Sequence, residues 1–108
     1  IIAPYDYVYI EDDELMRLSW ASKARKQKIS LLTLSSILEF EQHKERINKE
    51  HTRIYIDSNL GNGEMPGEDF AKILHEQGYK HLSIASGYEA EHFQHYEWLK
   101  YAGKNCPF

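Results

Sequence analysis

The sequence predicts an α/β domain built on a doubly wound, five-stranded parallel sheet. Three observations carry this prediction. Five short, largely apolar runs recur along the chain, stretches with helical spacing separate them, and cap and turn residues such as Asp13, Ser36 and Gly78 mark the boundaries. Strands that alternate with helices join through right-handed crossovers, which cover a parallel sheet on both faces.

Tyr7–Ile10 (YVYI) is the first such run and reads as a strand. Asp13 then caps a helix over 14–28, whose inner stripe is Met16, Trp20 and Ala24 at i, i+4 and i+8. Residues 30–34 (SLLTL) make the second strand. Ser36, with Glu39 three residues on, forms a capping box for a helix over 37–47. Arg53–Ile56 (RIYI) is the third strand, and a glycine-rich loop spans 58–67. The next helix covers 68–77, with Phe70, Ile73 and Leu74 inward and Gly78 as terminator. Residues 81–85 (HLSIA) form the fourth strand, 90–97 a short helix and 99–102 the last strand. Trp20, Phe40 and Phe70 are read as core.

The 108 residues suffice for one domain, 1–108, with a modest core, and 42% hydrophobic against 28% charged residues is an ordinary globular balance. No apolar run approaches the roughly 18 residues that cross a bilayer. The first residues lack the basic and apolar regions of a signal peptide. Beginning at Ile1 rather than Met, the sequence reads as a piece of a longer chain. The single cysteine, Cys106, has no internal partner, which fits a reducing, cytoplasmic setting. A net charge of −4 argues against a nucleic-acid surface, and Lys23, Arg25, Lys26 and Lys28 read as one solvated helix face.

In open parallel sheets the functional groups gather beyond the carboxyl ends of the strands. Those ends carry Glu11, Asp12 and Asp13, then Asp57, Ser86 and Lys104. Asp13 with Glu14 reads as the acidic start of a helix. Glu11, Asp12 and Asp57 are different, because carboxylates from two strand ends repel one another unless a cation neutralises them. A hard divalent ion bound by oxygen ligands resolves the conflict, and Mg²⁺ fits that set. Lys104 is placed to pair with Asp57 or with a phosphoryl oxygen, and Ser86 offers a hydroxyl to another. An aspartate carboxylate can itself accept a phosphoryl group as an acyl phosphate. Other candidates are weaker. His92 and His95 stand at i, i+3 with no third ligand for zinc. His43, His51, His75 and His81 are scattered, and Gly61-Asn62-Gly63 lacks the lysine-serine ending of a phosphate-binding P-loop.

The runs YVYIEDDELM, RIYIDSNL, HLSIASG and YAGK, in this order over almost the whole chain, resemble the strands and strand ends of response-regulator receiver domains. The resemblance implies a flavodoxin-like sheet of strand order 2-1-3-4-5. It implies that Asp57 is the phosphoacceptor, Asp12 a direct Mg²⁺ ligand, Glu11 a neighbour acting through metal-bound water, and the Asn59 backbone carbonyl a further ligand. Ser86 then becomes the switch hydroxyl, Lys104 the phosphate-sensing cation and Tyr101 the aromatic switch. The expected function is two-component signalling, in which a histidine kinase, in the same chain or another, phosphorylates Asp57 and a surface for a downstream protein changes. Such a domain is no metabolic enzyme and touches neither nucleic acid nor membrane itself. The receiver module of a larger sensor kinase, as the cytoplasmic part of a membrane sensor, is the favoured setting, with a fragment of a response regulator as the alternative.

The sequence also departs from the family pattern. Pro66-Gly67 comes late, so the loop after the acceptor is longer than usual. The span from Ser86 to Lys104 leaves room for only a short fourth helix, and Asn105 and Cys106 separate Lys104 from Pro107. The sequence stops at Phe108, so the family's fifth helix is either cut off or replaced by another cover for that sheet face. These departures favour the alternative of a pseudo-receiver that binds proteins without being phosphorylated, whereas the retained acidic pair, acceptor, hydroxyl and lysine oppose it. A phosphotransferase or phosphatase with an aspartyl nucleophile is the third reading. It wants a second carboxylate shortly after the acceptor, where Asn59 stands.

Overall fold

The computed structural model describes residues 3–87, 93 and 96–108. Its elements are β1 (Tyr7–Ile10), α1 (Glu14–Gln27), β2 (Leu31–Leu34), α2 (Ile37–Gln42), β3 (Arg53–Ile56), α3 (Gly67–Glu76), β4 (His81–Ile84) and β5 (Leu99–Tyr101), with a 3₁₀ turn at Lys44–Arg46. The five strands form one sheet of order β2-β1-β3-β4-β5, parallel at every pairing. This is the α/β arrangement that the alternation of elements predicts. The expected helix over 90–97 lies outside the described residues, apart from Phe93, Tyr96 and Glu97. Residues 102–108 are not helical, and the Cys106–Pro107 bond is trans. No helix among the described residues is long and apolar enough to cross a membrane.

Alternation along the strands divides the sheet into two faces. Val8, Ile10, Ile54, Ile56, Leu82 and Ile84 point to one side, where Phe40 of α2 and Phe70, Ala71 and Leu74 of α3 complete the larger core. Tyr9 and Ala85 lie on the other, with Trp20 of α1 packed on them and Tyr55, Cys106 and Phe108 around it. The Phe108 ring meets Tyr7 edge-on at 5.0 Å, so the last residues lie against this aromatic face.

Local chemistry sets the helix ends. Asp13 caps α1 as expected, accepting the Leu15 N–H at 2.9 Å, and Trp20 and Ala24 are buried on its inner stripe with Met16 partly so. The helix predicted over 37–47 instead stops at Gln42. The His43 imidazole donates to the Glu39 carbonyl at 2.8 Å, the acceptor that the His43 backbone N–H would use in a continuing helix. That N–H turns to the Phe40 carbonyl, and the chain tightens into the 3₁₀ turn. Only half of the expected capping box forms. Ser36 accepts the Glu39 N–H, but the Glu39 carboxylate takes the N–H and hydroxyl of Ser35 rather than the N–H of Ser36. In α3 the inner face runs through Gly67, Phe70, Ala71 and Leu74, which leaves Ile73 on its flank and 39% exposed, contrary to expectation.

Pairing is level at the carboxyl edge. Ile10 stands opposite both Leu34 and Ile56, and Ile56 opposite Ile84. The ladder continues one residue further, through the N–H groups of Glu11, Asp57 and Ala85 to the carbonyls of Leu34, Ile10 and Ile56. Backbone hydrogen bonds therefore fix the first residue beyond each of β1, β3 and β4. The start of α3 abuts the same edge. A Cβ on Gly67 would lie 1.9 Å from the Asp57 carbonyl oxygen, and the Gly67 N–H bonds the Ser58 carbonyl at 2.8 Å. Gly67→Ala should lower stability by about 1–3 kcal/mol through overpacking. Urea unfolding of the variant beside the parent measures this, and equal midpoints would refute the close approach.

Candidate functional site

β1, β3 and β5 deliver the charged groups to one place. Glu11 leaves β1 1% exposed, and Asp57 leaves β3 5% exposed. Asp12 is exposed beside them, and one carboxylate oxygen from each of the three lies within 4.8 Å of the others. Such a set of hard oxygen donors can hold a metal ion.

Lys104 reaches the cluster from beyond β5. Its Nζ donates to Glu11 Oε1 and to Asp57 Oδ1, each at 2.8 Å. Burial works against the ammonium charge, but the hydrogen bonds and charges of Asp57 and Glu11 outweigh it and raise the Lys104 pKa. Three carboxylates against one ammonium leave a formal charge of −2, which one divalent cation would cancel. Asp12 registers the excess. Although exposed overall, its carboxyl is raised above the ordinary range by desolvation on the site side, then by a hydrogen bond and like charge from Glu11.

Two supporting residues escaped the sequence reading. Tyr9, fully buried, donates its hydroxyl to Glu11 Oε1 at 3.0 Å. Burial, then the charge and hydrogen bond of Glu11, raise the phenol's pKa, so it stays a donor. Arg17 of α1 donates from Nη1 to the Glu11 backbone carbonyl at 2.7 Å and pins the turn between β1 and α1. The available signal was spacing: Tyr9 precedes Glu11 by two residues and so shares its side of the strand. The contact of Arg17 arises only when α1 packs back on β1.

Ser86 is buried and lines a cavity of about 360 Å³ together with Asp57, Ser58, Asn59, Gly87 and Lys104. The structure thus brings the predicted acceptor, hydroxyl and lysine around one space. Asn59 lines it too, while its side-chain oxygen accepts the Gly61 N–H at 3.0 Å in a tight turn. At Gly61 (φ +110°) a Cβ would sit 3.3 Å from Asp12 Oδ2, so a glycine lets the loop lie close to the acidic cluster. Leu60, buried in the main core, and Ser58, which donates to Glu68 Oε1 at 2.8 Å, tether this loop at its start. Tyr101 is 42% exposed, with its hydroxyl directed at the Ser86 carbonyl over a long 3.4 Å and its ring stacked on Phe93 at 6.2 Å. Among the described residues the acidic trio is the one cluster with metal-ligand spacing, and His92 and His95 lie outside those residues.

No family model, no curated protein and no solved structure matches this chain.

Two outcomes follow from the electrostatics. The raised pKa of Asp12 means that the fold loses stability as pH rises from its ordinary 3.8 through the folded value. Asp12→Asn should therefore raise the metal-free melting temperature at pH 7, with the gain vanishing in acid; a lower melting temperature at pH 7 would contradict this. For Lys104 the sign is opposite. Its contribution is complete below the ordinary value of 10.5 and is lost as pH rises through the raised folded value. Lys104→Met should cost about 1–2 kcal/mol at neutral pH, a broken buried pair discounted for the lysine's partial exposure. Urea titrations should show the difference from the parent shrinking in strong alkali.

Proposed function

We propose that this chain is a phosphoacceptor receiver domain of a two-component pathway, with Asp57 as the residue phosphorylated. One observation carries the reading: Lys104 bridges Asp57 and Glu11 at the carboxyl edge of the sheet, inside the acidic trio and beside the cavity that Ser86 lines. A nucleophilic carboxylate, a mobile cation and a buried hydroxyl around one space are what phosphoryl acceptance needs.

In the proposed reaction an Asp57 carboxylate oxygen attacks the phosphorus of a kinase phosphohistidine. The P–O bond forms as the P–N bond breaks, and the imidazole, already protonated on its other nitrogen, departs as the neutral ring, leaving an acyl phosphate. Lys104 shifts from the Asp57 carboxylate to a phosphoryl oxygen, keeping its charge paired. Ser86 donates its hydroxyl to another, and Tyr101, already directed at the Ser86 backbone, follows that movement. Glu11, Asp12, Asp57 and the Asn59 carbonyl would hold Mg²⁺, whose small size and preference for oxygen and water suit this set. When bound, it neutralises charge on the transferring phosphoryl group. The partners are a histidine kinase and a downstream protein that reads the altered surface, and the proposed setting is the cytoplasm.

Incubation with Mg²⁺ and acetyl phosphate, followed by intact-mass measurement, tests the proposal. A single phosphate adduct is expected in the parent and none in Asp57→Asn or in the presence of a chelator. A parent that binds no divalent ion and takes no adduct would instead be a pseudo-receiver.

A further inference from the structure

Glu11 is the most enclosed charge of the site, and the group beneath it is Tyr9. The Tyr9 ring lies flat on Trp20, with centroids 3.6 Å apart and planes 12° from parallel. Strand and stack together fix the direction of the hydroxyl, which meets Glu11 Oε1 at 3.0 Å. Lys104 converges on the same oxygen at 2.8 Å, whereas Oε2 meets the Asp13 N–H at a longer 3.4 Å. Two donors on one oxygen break the symmetry of the carboxylate. The terminal torsion of a glutamate is otherwise broad, so an unheld Glu11 would present either oxygen over a range of angles.

The two donors are not equivalent. Lys104 sits on a flexible stem, is partly exposed and is shared with Asp57. Tyr9 is rigid, fully buried and bonded to Glu11. A phenylalanine would fill the same core space and keep the stack, so packing alone does not require the hydroxyl. A buried phenol needs a polar partner, and this one has been given the carboxylate.

We infer that Tyr9 is a positioning residue for the cation site: by holding Glu11 Oε1 it turns Oε2 toward a divalent ion or the water bound to it. The inference rests on the cation reading of the acidic trio. It also separates the two anchors of Glu11. Lys104 exchanges its Asp57 contact for a phosphoryl oxygen when Asp57 is modified, whereas Tyr9 keeps its one bond to Glu11.

The test uses Mn²⁺ as probe on the whole chain, with free Mn²⁺ followed by electron paramagnetic resonance and thermal unfolding recorded in parallel. Tyr9→Phe should weaken Mn²⁺ binding about ten-fold, the scale of one charge-assisted hydrogen bond. Phe40→Leu, on the opposite face of the sheet, should lower the melting temperature while leaving Mn²⁺ affinity unchanged. Because Tyr9 acts through Glu11, Tyr9→Phe should add nothing to the loss already caused by Glu11→Gln. Parent-like affinity in Tyr9→Phe, or additive losses in the double variant, would overturn the positioning while leaving the cation reading intact. A parent that binds no Mn²⁺ would overturn both.

Discussion

Holding three carboxylates within 4.8 Å of one another is the constraint around which the carboxyl edge of this protein is organised. At that spacing the buried Glu11 and Asp57 repel by about 3 kcal/mol with an effective dielectric of about 20, and pairs that include the exposed Asp12 by less. Lys104, at 2.8 Å from two of them, offsets part of the repulsion but leaves the trio net negative. The remaining features of the edge are responses to that imbalance. Tyr9 and Lys104 donate to one oxygen of Glu11, and Asp12 holds its proton more tightly than an isolated aspartate. No buried side-chain polar atom among the described residues is left without a partner. A fold that maximised stability alone would not collect these charges, and at this spacing their oxygens could hold a metal ion.

Rigid backbone makes the arrangement affordable. Glu11 and Asp57 are each held by a ladder hydrogen bond from the neighbouring strand, so neither carboxylate can retreat far into solvent. The apolar face of the sheet, with Phe40, Phe70 and Leu74 against Ile54 and Ile56, anchors β3 from one side. The aromatic face, with Trp20 on Tyr9, anchors β1 from the other. Gly67 lets α3 start against the Asp57 carbonyl itself, which closes the edge beside this residue. In contrast, Lys104, Asn59 and Tyr101 belong to the more exposed rim, where side chains are less tightly packed.

This division bears on the proposed signalling. A phosphoryl group on Asp57 would enter a site whose floor is fixed and whose rim can adjust. Lys104 is the natural first responder because it is already shared between two acceptors and needs only to exchange one. Tyr101 meets the Ser86 carbonyl over a long distance, so a small displacement of Ser86 would alter its position. The local change in charge would then reach the surface through β4 and β5, which are paired side by side.

The periodicities of the sequence determined the parallel α/β sheet, because alternating strands and helices of these lengths close in few ways. Seven elements kept their expected bounds to within one residue, since runs such as YVYI and RIYI and the Asp13 and Gly78 signals are local chemistry. Glu11, Asp12, Asp57, Ser86 and Lys104 were legible for the same reason: they lie one to three residues beyond strands, and strand ends of a parallel sheet share an edge. The early end of α2 was not legible, because it depends on the His43 ring competing for one carbonyl. Nor was the exposure of Ile73, which depends on where α3 settles on the sheet. Tertiary structure alone decided that Lys104, expected to pair with Asp57, would hold Glu11 as well, and that Arg17 would fold back on Glu11. Each of these needs groups from separate elements to meet at hydrogen-bond distance, and spacing along the chain does not encode that distance.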